Sequence, residues 1–335
     1  MDGRIGNVAA LEACIGRTPG SMHVKVIDHV DAGAQRWLAA SPLMVAGFGI
    51  RNGIAISLGG GKPGFVGVAG TARLRLPAAF LDNPDFASEG QGFAGLFLVP
   101  TIGETLRING HVANVDGGVI AIAVEECYVH CAKALIRSDF WCATPQPVVP
   151  SEAAQFLAAS RFIALATIDS KGRADVSPKG DPAGTMIRLS EGAAWFADRP
   201  GNRRADSFRN ILTQPHVAIA ALIPGAAGIG LISGEARMTS DENARAGFTV
   251  QGKVPLLVTC IERPQILIRE SAALERAQLW PVRAPAEAID PAAILISHVK
   301  LSKERGLQAA IARTAVSVPG LMRRGLAYDY KTNLY

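Results

Sequence analysis

The chain is poor in aromatic residues, 6% of 335. It shows no basic stripe with aromatics interleaved, which excludes the usual surface of a nucleic-acid-binding protein. It also lacks a long apolar run free of breakers. The longest, VAIAALIPGAAGIGLIS (Val217 to Ser233), carries Pro224 and several glycines, so it reads as two strands around a turn and not as a membrane span. Cysteine is scarce: Cys14, Cys127, Cys131, Cys142 and Cys260 are odd in number and unevenly spread. That argues against a disulfide framework and for a reducing compartment. The first residues, MDGRIGNVAALEACIG, lack the charged-then-apolar design of a secretory signal. A cytoplasmic, soluble protein is expected, with no membrane or nucleic-acid partner.

What the chain does have is 49% hydrophobic residues and a net charge of +5. The first is enough for two cores of ordinary size. The second suits an anionic small molecule such as a phosphate ester.

The sequence repeats itself. WLAASPLMVA at Trp37 returns as FLAASRFIALA at Phe156, an offset of 119. LFLVPTIGETLRINGHV (Leu96 to Val112) returns as AALIPGAAGIGLISGEA (Ala220 to Ala236), offset by 124. Segments ending at Trp141 and Trp280 close the two copies. Short apolar runs bounded by Gly, Asp and Pro read as many short strands with few helices, a β-barrel pattern. The expectation is a mainly β protein with flanking helices: one barrel in residues 1–147, a second in 148–285, and a helical tail in 286–335. The boundary falls in the proline-rich CATPQPVVPSE. In the tail, Asp290-Pro291 and Ser302 are the expected starts of two helices.

Two segments of the second copy look made for anions. DVSPKGDPAG (Asp175 to Gly184) combines Lys179 with two prolines and two glycines. DRPGNRRADSFRNIL (Asp198 to Leu212) sets Arg199, Arg203, Arg204 and Arg209 around a Pro-Gly-Asn turn leading into a helix. Guanidinium forks, turn amides and a helix N-terminus are what a phosphate monoester needs. An exposed, Arg-rich turn capping a helix is the plain alternative. In the first copy VHCAKALIRS (Val129 to Ser138) crowds His130, Cys131, Lys133 and Arg137 at a strand end. A metal site of Cys127, His130 and Cys131 is not expected, since on a strand His130 and Cys131 face opposite ways and no second ligand pair exists. GGGKPG (Gly59 to Gly64) lacks the Ser or Thr a phosphate loop needs after its lysine. The glycines Gly228, Gly230 and Gly234 open no helix, so a dinucleotide fold is not indicated.

DVSPKGDPAG, DRPGNRRADSFRNIL, LFLVPTIGETLRINGHV and VHCAKALIRSDFW together resemble the pyridoxamine 5'-phosphate oxidase-like family of FMN-binding split barrels. The resemblance covers residues 10–285, as two family-like copies. It implies FMN as cofactor, bound in a groove between paired barrels. By it, Asp175, Val176, Ser177, Pro178, Lys179, Gly180 and Asp181 would run along the flavin. Arg199, Pro200, Gly201, Asn202, Arg203, Arg204 and Ser207 would hold the phosphate. His130, Cys131 and Lys133 would close the site from the other barrel, with His130 and Lys133 the catalytic candidates.

Each copy keeps one half of such a site. AISLGGGKPG stands where the second copy has DVSPKGDPAG, and IRESAALERAQLW where the first has HCAKALIRSDFW. The resemblance thus implies an intramolecular pseudo-dimer with one FMN site per chain, chains pairing into a homodimer being a further option. The implied function is an FMN-dependent oxidoreductase on a small organic substrate, with NAD(P)H or a partner reductase as electron donor. A flavin carrier, redox sensor or electron-transfer protein is the alternative. A haem-binding barrel with His111, His130 or His216 as ligands is a third reading.

Overall fold

The computed structural model describes residues 3–201, 204–318 and 320–335. Asn202 and Arg203, two of the expected phosphate-binding residues, lie outside the described residues. The chain opens with β1 (Arg4–Ile5), α1 (Val8–Ile15) and α2 (Ala32–Ala40). The next strands are β2 (Leu43–Ile50), β3 (Gly53–Gly60), β4 (Gly67–Ala69), β5 (Arg73–Pro77), β6 (Gly92–Leu98), β7 (Thr105–Asp116) and β8 (Val119–His130). Helices α3 (Lys133–Arg137) and α4 (Ala153–Ala159) come before β9 (Phe162–Ile168), β10 (Ala174–Gly180), β11 (Arg188–Ser190) and β12 (Ala193–Ala197). Then come α5 (Asp206–Thr213), β13 (His216–Leu222), β14 (Gly228–Thr239), α6 (Glu242–Ala246) and β15 (Val258–Glu270). The last helices are α7 (Ala272–Ala277), α8 (Pro291–Leu301), α9 (Leu307–Ser317) and α10 (Leu321–Thr332).

The strands form two antiparallel sheets of the same order, β3-β2-β6-β7-β8-β5-β4 and β10-β9-β13-β14-β15-β12-β11, with β1 added to β14. This is a mainly antiparallel β architecture with flanking helices. The run Val217 to Ser233 is indeed two antiparallel strands around a turn, β13 and β14. No helix of the described residues is long and apolar enough to cross a membrane.

Side-chain alternation explains why LMVAGFGI and FIALATI are apolar throughout instead of every second residue. On β2, Met44, Ala46 and Phe48 enter the core of the first sheet, while Leu43 and Val45 face the other way. On β9, Ile163 and Leu165 fill the second sheet's own core. Phe162, Ala164 and Ala166 instead meet Leu43 and Val45 in a cluster drawn from both halves. A strand buried on both faces must be apolar at every position.

The halves also lock together through backbone. A Cβ on Gly180 would lie 1.8 Å from the carbonyl oxygen of Ala134, at the start of α3. A Cβ on Gly60 would lie 2.0 Å from that of Ala273, in α7. Each sheet edge thus seats a helix of the other half against a bare glycine. Gly180→Ala is expected to cost about 1–3 kcal/mol, because main chain and not a flexible side chain must yield. Gly6→Ala, whose added methyl group meets nothing, should stay within about 0.5 kcal/mol. Urea denaturation compares the two, and equal midpoints would refute the account.

Asp175 to Gly180 lie in an edge strand, β10, hydrogen-bonded to β9 alone; an edge position tolerates Pro178, which has no N–H to donate. One sequence expectation needs correction: among the described residues the tail holds three helices, not two. Asp290 caps α8 as expected, accepting from the amides of Ala292 and Ala293. Ser302 does not start the next helix: it ends α8, and α9 begins only after Gly306, whose φ of 105° breaks the chain direction.

Candidate functional site

A cleft of about 190 Å³ lies where the two halves meet. One wall is the end of β10 (Ser177, Pro178, Lys179, Gly180) with Ala197 to Gly201 and Arg204 to Phe208. The other is the β8–α3 junction, with His130, Cys131, Lys133 and Arg137. The two parts of the expected site, carried by different sheets, therefore share one cavity.

Its floor is a buried polar network. Arg107 of β7 is 1% exposed and reaches across from the first half. Its Nη1 donates to Asp175 Oδ1 at 2.5 Å and to the Tyr128 hydroxyl at 2.9 Å, and its Nη2 to Ser177 Oγ at 3.0 Å. Ser177 and Ser207 each donate to Asp175 Oδ2 at 3.1 Å. Burial is the largest influence on Arg107 and opposes its charge, but Asp175, Tyr128 and Asp206 together outweigh it and raise its pKa.

Around the cleft the other cations are each held by a carboxylate or a carbonyl. Lys179 Nζ lies 3.2 Å from Asp198 and over the Phe208 ring, 4.7 Å from its centroid. Arg199 donates Nε to both oxygens of Asp181, at 3.0 and 2.7 Å, and Nη2 to the Phe248 carbonyl. Arg204 donates Nε to Asp206 at 2.5 Å and stacks 4.5 Å from the Tyr128 ring centroid. Lys133, 3% exposed, pairs with Asp329 at 2.9 Å. Arg137 donates to the carbonyls of Leu334, at 2.6 Å, and Pro200. Helix α5 begins at this cleft, with Ala205 in a left-handed conformation (φ 58°) and Ser207 in the first turn.

His130 is neutral near pH 7: burial first, then Arg107 and Lys25, hold its imidazole well below its ordinary pKa. Lys25, buried beneath it and donating to the Val129 carbonyl at 2.9 Å, is itself pushed down to about 8, mainly by burial.

Most of the expected residues line the cleft: Ser177, Pro178, Lys179, Gly180, Arg199, Pro200, Gly201, Arg204, Ser207, His130, Cys131 and Lys133. Three do not. Asp175 lies beneath the floor, bound to Arg107. Val176 points into the apolar cluster shared by the halves, as strand alternation from Ser177 requires. Asp181 is fully buried behind Arg199. Of the histidines weighed for haem, His130 alone lines the cleft; His111 pairs with Glu125 on the surface and His216 is exposed on β13. No cluster of three metal-ligating side chains occurs among the described residues.

Sequence reasoning missed Arg107, Tyr128 and Asp198, and it left Arg137 out of the expected site. A signal for Arg107 existed. It pairs across its hairpin with Tyr128, as Leu231 pairs with Leu267 in the other sheet, so at the corresponding strand position one sheet holds arginine and the other leucine. The tail, for which the sequence suggests a cover over the pocket but no particular residues, brings Asp329, Leu334 and Tyr335 to these cations.

Helix α7 is tied to the first half by polar contacts. Arg276 donates to the carbonyls of Gly60 and Phe80 at 2.9 and 2.8 Å. Asp82 accepts from Ser271 Oγ at 2.6 Å and the Ala273 amide at 2.8 Å.

Three solved structures align with the chain over about a third of its length. HupZ of Group A Streptococcus, solved in a tagged form, is 19% identical, with 38% of this chain and 98% of that chain covered and a TM-score of 0.31. An F420 reductase is 16% identical, covering 36% and 98%, with a TM-score of 0.27. HutZ, the heme storage protein from Vibrio cholerae, is 12% identical, covering 35% and 90%, with a TM-score of 0.21. Among curated proteins none matches the chain. One family model, described as Pyridoxamine 5'-phosphate oxidase, matches residues 149–266. The described cleft residues from Ser177 to Gly201 and from Arg204 to Ser207 therefore lie within the stretch that this family model matches, set in mainly antiparallel sheets with flanking helices.

Proposed function

We propose that the cleft binds FMN and that the chain is an FMN-dependent oxidoreductase acting on a small organic substrate. The observation that carries this reading is the convergence of cations and hydroxyls from both halves on a single cleft. Arg204, Ser177 and Ser207, beside the first turn of α5, form a donor set suited to a phosphate monoester. Lys179 and Lys133 are the cations suited to the negative charge that develops on a reduced flavin ring. His130, being neutral, offers one ring N–H as a hydrogen-bond donor and one lone pair as acceptor, so it orients a ligand better than it protonates one. Bound FMN would supply the electron transfer; the protein positions, desolvates and tunes. Electrons would come from NAD(P)H or a partner reductase.

We further read the chain as a tandem duplication of a split barrel, 1–147 and 148–285, folded as an intramolecular pseudo-dimer with the tail 286–335 beside it. The identical strand order supports this, as do the paired glycine contacts at Gly60 and Gly180. At the position of Asp175 the first copy has Ala55, and at that of Arg107 the second has Leu231. One copy of each charged pair is gone, and Arg276 and Asp82 fill the equivalent groove. Flavin titration of the purified chain should therefore saturate at one FMN per chain; two tightly held equivalents would sink the model. Stopped-flow mixing of the loaded protein with NADH or NADPH, then with an organic acceptor, should show reduction and reoxidation. Flavin that binds but is not turned over would favour a carrier or electron-transfer role instead.

A further inference from the structure

The cations of the cleft face two ways. On one side they line the cavity, and on the other they are taken by the chain's own C-terminal segment. Asp329 of α10 pairs with Lys133 at 2.9 Å. The Tyr330 hydroxyl accepts from the Ala132 amide at 3.3 Å and donates to Glu104 at 3.0 Å. The Leu334 carbonyl accepts from Arg137. The Tyr335 ring lies against both Arg137 and Arg199, 5.5 and 5.6 Å from its centroid.

Two further observations say that this segment is built to leave. Helix α8 is anchored by buried Ile294, His298 and Val299, and α9 by buried Ala309 and Val316, but α10 has no buried residue. It is held by ion pairs and hydrogen bonds, Arg323 to Asp290 included, and polar contacts with little apolar burial mark the easily opened parts of a fold. Gly320, with φ of 74°, sits at its start and supplies a hinge. The cleft beside the docked segment is about 190 Å³, below the roughly 300–1,000 Å³ of pockets that enclose a ligand of drug size.

We propose that residues 321–335 form a displaceable strap, with Asp329 and Tyr335 holding Lys133, Arg137 and Arg199 until a phosphate-bearing anionic ligand takes their place. The proposal deepens the FMN reading and rests on the cleft being an anion site. Charge accounts for the exchange: the ligand brings to Lys133 and the arginines the negative charge that Asp329 gives up.

The test uses the full chain. Asp329→Ala combined with Tyr335→Ala removes the strap's side-chain contacts with Lys133, Arg137 and Arg199 and touches no buried residue. A strap docked about nine-tenths of the time weakens ligand binding about tenfold, so the double variant should bind FMN about tenfold more tightly in a fluorescence titration. Equal or weaker binding would overturn the proposal. Independently, saturating FMN, or inorganic pyrophosphate as a small anion, should accelerate tryptic cleavage after Arg323 and Arg324 several-fold in the unmodified chain. Unchanged or slower cleavage would overturn it. If neither form binds FMN, the FMN reading fails, and the pyrophosphate digestion alone then judges the strap.

Discussion

Replacing Arg107 with alanine is expected to lower the free energy of unfolding by about 3–5 kcal/mol, the cost of leaving a buried carboxylate without its partner. Asp175 is 3% exposed, and what remains around it, Ser177 and Ser207, are hydroxyls that cannot neutralise its charge. The pair bridges the two halves of the chain, so its loss also removes an interlock. The molecule holds its own control. At the equivalent positions of the other half stand Leu231 and Ala55, an apolar solution to the same packing problem. The double variant Arg107→Leu with Asp175→Ala should therefore recover stability to within about 1–2 kcal/mol of the unmodified chain, since well-packed apolar replacement of a buried ion pair is often neutral. Urea denaturation followed by circular dichroism reads both. If the single variant loses less than about 1 kcal/mol, the network is not what holds the halves in register.

The second large effect concerns binding. Lys179→Ala with Arg204→Ala should weaken FMN binding about 100-fold or more, because each charge-assisted hydrogen bond contributes about 1.5–3 kcal/mol and every 1.4 kcal/mol is a factor of ten. Both side chains line the cleft, and Arg204 stands beside the serines proposed for the phosphate. Lys62→Ala makes a fair control: it removes the same kind of charge from an exposed residue just after β3, outside the cleft. Flavin fluorescence quenching measures all three proteins, and undiminished affinity in the double variant would refute the assignment of the phosphate side.

Much of the fold was legible in the sequence because it is carried by local signals. Breakers such as Pro224 and Gly225 marked the β13–β14 hairpin, and Asp290-Pro291 marked the start of α8. The offsets between WLAASPLMVA and FLAASRFIALA, and between the two hairpins, run through equivalent strands of the two sheets. Where local signals compete, the reading slipped. Pro178 and Gly180 are breaker residues inside a strand, because the edge of a sheet accepts a proline and the approach of Ala134 demands a glycine. Ser302 is a good capping residue, but Gly306 further along set the actual start of α9. Val176 and Asp181 were grouped with the cleft by adjacency, whereas strand alternation and the claim of Arg199 turn them away from it.

The sequence by itself determined the residue types available for an anion site, the segments that carry them, and the fact that each of those segments occurs once. Composition and spacing are enough for that, since the chemistry of arginine, lysine and serine does not depend on the fold. Which of them meet was decided by tertiary structure alone. Arg107 and Asp175 are 68 residues apart, and Lys133 and Asp329 sit on helices far apart in the sequence. No local propensity encodes such pairings, because their energy exists only once two sheets have buried a common face and excluded water from the charges between them.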